Sequence, residues 1–106
     1  MSHAEKFSEQ KTITTEASDA TSVYAADMDG DGDMDVLSAS FSDNKIAWYE
    51  NTDGKGTFST QKIITTQASG AESVYAADMD GDGDMDVLSA SYSDNKIAWY
   101  ENTDGN

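Results

Sequence analysis

The 106-residue chain has no cysteine and no proline, a single histidine, and only 6 basic residues against 21 acidic ones. Without cysteine there can be no disulfide framework, thiolate metal site or cysteine nucleophile, so stability has to come from packing, bound metal or association. The lack of disulfides does not fix the redox compartment, because bound metal can stiffen loops in their place. His3 lies in what reads as an N-terminal tail over residues 1–6, leaving Ser38, Ser40, Ser42 and their counterparts without a general base for nucleophilic chemistry. No apolar run approaches the roughly 18 to 20 residues of a membrane span, and the tail lacks the apolar core of a signal peptide. The opening Met-Ser-His is left out of the fold reasoning. A formal net charge of −15 argues against nucleic acid and anionic membranes as partners and in favour of cations.

That charge is concentrated. Ten of the 21 acids fall in two nine-residue segments, five in Asp27–Asp35 and five in Asp78–Asp86, which points to a local role rather than a solvated face. The two segments belong to a longer repeat. A shift of 51 residues pairs Phe7–Lys55 with Phe58–Asn106, with 42 identities in 49 positions. Such similarity marks recent duplication or deliberate design, and a period near 50 lies in the range of propeller blades and solenoid repeats.

Apolar residues alternate over short stretches and never sustain a 3.6-residue period, so the units are read as strands and the fold class as all-β. Four strands are expected in each unit. The outer one is Phe7–Thr15 or Phe58–Thr66; the innermost is Ser22–Ala26 or Ser73–Ala77. Val36–Phe41 or Val87–Tyr92 leaves the acidic loop, and a Ser-Asp-Asn turn leads into Lys45–Asn51 or Lys96–Asn102. Leu37, Ala39 and Phe41 should share one face, and Val36, Ser38 and Ser40 the other.

Four antiparallel strands with short turns make a β-propeller blade. The expected division is a tail (1–6), an outer strand donated to a neighbouring subunit's blade (7–16), a first repeat (17–67) and a second repeat with three of its four strands (68–106). Two blades cannot close a ring, since propellers typically have about four to eight. Head-to-tail association would give a closed cyclic homo-oligomer in which every edge finds a partner. An even number of blades follows, and a tetramer of eight blades is favoured over a trimer of six, because about 45° per blade is nearer than about 60° to the geometry of seven-bladed rings.

The acidic loop reads Asp27-Met28-Asp29-Gly30-Asp31-Gly32-Asp33-Met34-Asp35, repeated as Asp78–Asp86. Aspartates at loop positions one, three and five, with glycine at six, reproduce the first half of an EF-hand loop, where glycine permits the sharp turn around the ion. The second half departs from it: Ser38 and Ser89 stand where an EF-hand places its closing glutamate, and strands flank the loop. Asp35 and Asp86 are the available replacements. Five carboxylates in nine residues repel one another, so a hairpin that gathers them needs a cation. Hard oxygen donors at this density suit Ca2+, two per chain; magnesium prefers fewer carboxylates and more water. The same acidity excludes a phosphate cradle at Gly30 and Gly32.

Loop and strands together, VYAADMDGDGDMDVLSAS followed by DNKIAWYEN, resemble the FG-GAP/VCBS repeat family, blades of integrin-type and bacterial extracellular β-propellers. The resemblance extends from Phe7 onward, although the Phe-Gly and Gly-Ala-Pro tripeptides are absent. It implies a calcium loop between the first two strands of each blade, with side-chain ligands Asp27, Asp29, Asp31 and Asp35 and the backbone carbonyl of Asp33. The equivalents are Asp78, Asp80, Asp82, Asp86 and, for the carbonyl, Asp84. It also implies an extracellular setting and a recognition or adhesion background with a protein or carbohydrate ligand.

Trp48, Tyr49, Trp99 and Tyr100 admit two readings, inter-blade packing and sugar-stacking platforms of a lectin. Packing is the better expectation, because adjacent residues of a strand point to opposite faces and a blade buries both. Glu50 and Asp53 sit at a strand end like ordinary turn residues, with nothing to mark a glycosidase pair. The sequence therefore reads as a non-catalytic, calcium-binding, self-assembling propeller fragment, with a lectin as the alternative.

Overall fold

The computed structural model describes residues 7–103; the tail with His3, and residues 104–106, lie outside them. Seven strands run β1 Ala20–Ala26, β2 Asp35–Ser40, β3 Lys45–Tyr49, β4 Lys62–Thr65, β5 Ala71–Ala77, β6 Asp86–Ser91 and β7 Lys96–Tyr100. They form two antiparallel sheets, ordered β1-β2-β3-β4 and β5-β6-β7. Each is a meander in which neighbours in sequence are neighbours in space, the arrangement that short turns enforce. The turn after β2 shows why: Asn44 takes a φ of 57°, a left-handed conformation that asparagine tolerates better than most residues.

The alternation within the strands decides what lies between the sheets. Leu37 sits opposite Trp48 and Ala39 opposite Ile46, and this face of the first sheet is turned to the second. Leu37, Ala39 and Ile46 are fully buried there against Val74, Ala76 and Val87. Small residues on β5 let the sheets approach closely, and each buried Leu, Ile or Val contributes about 1.5 to 3 kcal/mol relative to exposure. Trp48 joins this core from its edge. Tyr49 points the other way, buried, with its hydroxyl 2.9 Å from that of Ser38 and accepting a hydrogen bond from Gln61 Nε2 at 3.0 Å. Tyr24 and Tyr75 meet across the two innermost strands, with ring centroids 4.3 Å apart and planes tilted by 47°.

The observed strands depart from the expected ones mainly at their ends and in the outer strands; β3 and β7 stop at Tyr49 and Tyr100, two residues short of Asn51 and Asn102. β1 begins two residues early, at Ala20, and β2 stops at Ser40, leaving Phe41 in the turn. The outer strand β4 is short: Phe58 reaches Asn51 only through an isolated bridge. Between them Ser59 keeps one backbone bond, its N–H donating to the Glu50 carbonyl at 2.8 Å, while its hydroxyl accepts the Glu50 N–H at 3.0 Å. The strand expected over Phe7–Thr15 does not form; residues 7–19 carry no strand. The residues themselves have the right composition, since the same pattern forms β4. What they lack within one chain is a pairing: the β3 edge is taken by β4, the β7 edge of the second sheet stays open without them, and a strand needs a partner for its N–H and C=O groups.

Candidate metal centre

Each acidic loop is the connection between the first two strands of a sheet, β1 to β2 and β5 to β6. Its geometry starts from the residue that ends it. Asp35 is the first residue of β2 and is fully buried. Its Oδ2 accepts the Met28 N–H at 2.9 Å and its Oδ1 the Asn51 N–H at 2.9 Å, so one carboxylate ties the start of the loop to the end of the third strand. Asp86 does the same in the second sheet, with Met79 N–H at 2.9 Å and Asn102 N–H at 2.8 Å. Two backbone donors satisfy a buried charge that would otherwise be costly.

Asp27 organises the turn. Its Oδ1 accepts from Gly30 at 3.0 Å and Asp31 at 3.2 Å, and its Oδ2 from Gly32 at 2.9 Å. Those contacts need the backbone to curl back on itself, and Gly30 and Gly32 do so at φ of 75° and 90°, where a side chain would be strained. Asp78 holds Gly81, Asp82 and Gly83 in the same way. The result in each sheet is a convergence of four carboxylates. Asp27, Asp29, Asp31 and Asp35 bring oxygens within 4.8 Å of one another, as do Asp78, Asp80, Asp82 and Asp86. Asp33 stands outside the first group: its carboxylate lies against Gly54, where an added Cβ would meet it at 2.7 to 2.9 Å. Asp84 is likewise absent from the second group.

The family model described as FG-GAP-like repeat matches residues 3–38 and 27–89. The chain belongs to the FG-GAP-like repeat family. No curated protein and no solved structure matches it.

In this FG-GAP-like chain the two four-carboxylate groups could each hold a metal ion. The donor set is all hard oxygen, which fits calcium and offers nothing to a softer metal. Their protonation reflects the crowding. Burial and the hydrogen bond with Asp31 push Asp29 up to about 7, with the Asp35 charge adding to the effect. Burial and the hydrogen bond with Asp82 push Asp80 up to about 6. Burial and the neighbouring carboxylates also raise Asp33. Asp78 moves the other way, held low by the backbone N–H groups of Gly83, Gly81 and Asp82.

A pH dependence follows with a definite sign. A carboxyl whose folded pKa is raised binds more protons in the folded state, so its contribution is present below its unfolded pKa and is lost as pH rises through the folded value. The metal-free protein should therefore lose thermal stability between about pH 5 and pH 8, through the values near 6 and 7. The groups held low, Asp43, Asp53, Asp78 and Asp94, lose their contribution only in more acid solution. A divalent cation must displace the protons on Asp29 and Asp80, so calorimetric titration at pH 6.5 in buffers of different ionisation enthalpy should show proton release that vanishes by pH 8.5. A metal-free melting curve that climbs across this window would contradict the assignment.

Two residues of the centre were not legible as such. Asn51 and Asn102 read as the last residues of the third strands, but these end at Tyr49 and Tyr100, and the Asn51 and Asn102 backbones hold Asp35 and Asp86. The Asn51 side chain donates to the Met34 carbonyl of its own loop at 3.1 Å, whereas Asn102 donates to the Met28 carbonyl of the other sheet's loop at 3.0 Å. Asn102 thereby ties the second sheet's Asp86 to the first sheet's acidic loop. Glu50, read as an ordinary residue at a strand end, pairs with Lys62 at 3.8 Å, and Asp53 accepts from Lys55 and Thr57 within its own turn. Ser40 and Ser42 donate to Asp43 and Asp19.

Proposed function

We propose that the chain is a non-catalytic, calcium-binding pair of β-propeller blades that assembles with further copies into a ring, as a recognition or adhesion scaffold in an extracellular setting. The observation that carries this reading is the convergence of four carboxylates within 4.8 Å at the same place in both blades, on a repeat of a family of this kind. Calcium would be held by Asp27, Asp29, Asp31 and Asp35, and by Asp78, Asp80, Asp82 and Asp86. It would supply the positive charge that lets these groups stay ionised together, and so clamp the hairpins of each blade. Among the described residues no helix is long and apolar enough to cross a membrane.

A carbohydrate-binding role remains the second reading. A cavity of about 130 Å³ between the blades is lined by Trp48, Tyr100, Glu101 and Asn102 among others, an aromatic wall with polar groups at its side. Against it, the Trp48 ring is already engaged, with Lys62 Nζ 5.6 Å from its centroid and the inter-blade core beneath. Equilibrium dialysis against calcium tests the first reading: two ions per chain are expected, falling to one in either Asp29→Ala or Asp80→Ala. A parent protein that retains none at millimolar calcium would overturn it.

A further inference from the structure

The two blades are nearly identical in sequence but not in environment. Ile46 is 0 % exposed, and its counterpart Ile97 is 77 % exposed; Val74 is 4 % exposed, and its counterpart Val23 is 69 % exposed. The face of the first blade that the second covers is the face that the second leaves open, and the reverse holds for β1 and β5. Each open surface is thus a copy of a surface whose partner is already seen in the inter-blade core.

The open edge of β7 repeats the pattern. Its counterpart β3 pairs with β4, Ile46 lying opposite Thr65, Ala47 opposite Ile63 and Trp48 opposite Lys62. The chain leaves β4 and enters the second blade through contacts that recur, almost unchanged, where residues 14–19 enter the first. Gln67 N–H bonds Thr65 Oγ1 at 3.1 Å, and Glu16 N–H bonds Thr14 Oγ1 at 3.1 Å. Ser69 N–H reaches Asp94 at 3.3 Å, and Ser18 N–H reaches Asp43 at 3.4 Å. Lys96 Nζ donates to the Gln67 carbonyl at 3.5 Å, and Lys45 Nζ to the Glu16 carbonyl at 3.3 Å. Tyr92 N–H meets the Gly70 carbonyl at 2.9 Å, and Phe41 N–H meets the Asp19 carbonyl at 3.0 Å. The segment before Glu16 is therefore presented to the first blade as β4 is to the second, as the outer strand of a blade that precedes it.

The space beside that segment is the remaining sign. Ile64, Val87 and Tyr100 line the inter-blade cavity of about 130 Å³, which Trp48 and Met28 of the first blade help to fill. The repeat-related Ile13, Val36 and Tyr49 line a cavity of about 480 Å³ whose walls come from residues 10–49 alone.

We infer that a second copy of this chain fills it: the second blade of one copy docks on the first blade of the next, and residues 11–14 of that next copy pair with β7 in the register that β4 holds on β3. Thr14 then lies opposite Ile97, Thr12 opposite Ala98 and Lys11 opposite Trp99, and Lys11 covers the Trp99 ring as Lys62 covers Trp48. Three contacts differ between the internal joint and this one: Thr12 replaces Ile63, Glu72 stands where the Thr21 hydroxyl donates to the Ala71 carbonyl at 2.8 Å, and the third involves Gly70. Phe41 Cε2 stands 3.1 Å from where a Cβ on Gly70 would be, and the repeat-related pair across the joint is Tyr92 with Asp19. The interface is heterologous and propagates head to tail, so it closes into a ring when the rotation permits. The joint rests on the ring reading above, and adds to it the segment exchanged and its register.

The chain has no cysteine of its own, which makes crosslinking a clean test. Thr12→Cys/Ala98→Cys protein, oxidised in millimolar calcium chloride, should run on a non-reducing gel as a ladder ending at the ring's full mass. Thr12→Cys/Lys96→Cys, offset by two residues or about 7 Å along the strand, should crosslink roughly tenfold less, beyond the reach of a disulfide. Ala47→Cys/Ile63→Cys should close within one chain and serves as the folding control. An oligomer seen by light scattering without crosslinks at 12 and 98, or with equal yield at 12 and 96, would overturn the joint and leave the ring standing. A monomer in calcium would overturn both.

Discussion

Removing calcium with excess EDTA is expected to lower the melting temperature by about 20 °C or more, and to leave the chain at the edge of unfolding. A ligand that binds only the native state stabilises it by about 2.7 kcal/mol at a hundredfold excess over its Kd. Two sites per chain double this to about 5.4 kcal/mol, against a total stability of about 5 to 15 kcal/mol for an ordinary domain. For a domain of this size each kcal/mol moves the midpoint by about 4 to 8 °C. Circular dichroism melts in millimolar calcium and in EDTA measure the difference directly. The variant Asp29→Ala/Asp80→Ala should melt where the chelated parent does and should ignore calcium. In EDTA it should be no less stable than the parent, because each substitution removes a carboxylate from a crowded loop. That second result separates loss of a ligand from simple damage to the fold. Coincident melts of the parent with and without calcium would end the structural-calcium reading.

The acidic loop was legible because its chemistry is local. Aspartates at alternate positions with two glycines between them dictate both the curl and the donors, and Asp27, Asp29, Asp31 and Asp35 do converge, as do Asp78, Asp80, Asp82 and Asp86. The facing of β2 was legible for the same kind of reason: Leu37 and Ala39 alternate with Val36 and Ser38, and the Leu37–Ala39 side joins the apolar core with the second sheet, although Ser38 and Ser40 on the other side are buried too. What escaped the sequence depends on partners distant along the chain. Asn102 looks like any residue at a strand end until its side chain is found on Met28 of the other sheet's loop. The Ser59 hydroxyl cannot be recognised as the acceptor of a backbone N–H until Glu50 lies opposite it. The unequal burial of Ile46 and Ile97, identical residues in near-identical strings, has no signal in either string at all. Residues 7–15 show the limit most plainly, for they have the composition of β4, but strand structure is a property of a pair.

Deleting residues 1–16 should therefore cost the assembly far more than it costs the blades. Its described residues, 7–16, contribute no strand and no member of the core within one chain, so each truncated subunit should keep its two calcium ions and its strand signal. What it loses is the cover for β7, whose exposed backbone groups then form a template for any passing strand. Light scattering on the full chain in calcium should give one sharp species with an even number of blades, eight in a tetramer or six in a trimer. The truncated chain should give monomers together with open or aggregating forms. A synthetic peptide spanning residues 7–19, added in excess to the truncated chain, should occupy β7 and suppress the aggregation without restoring the ring, since it carries no first blade with it. Added to the full chain, the same peptide should compete with the native segment and slow closure. A truncated chain that elutes as the same sharp oligomer as the parent would show that the subunits join through their faces alone.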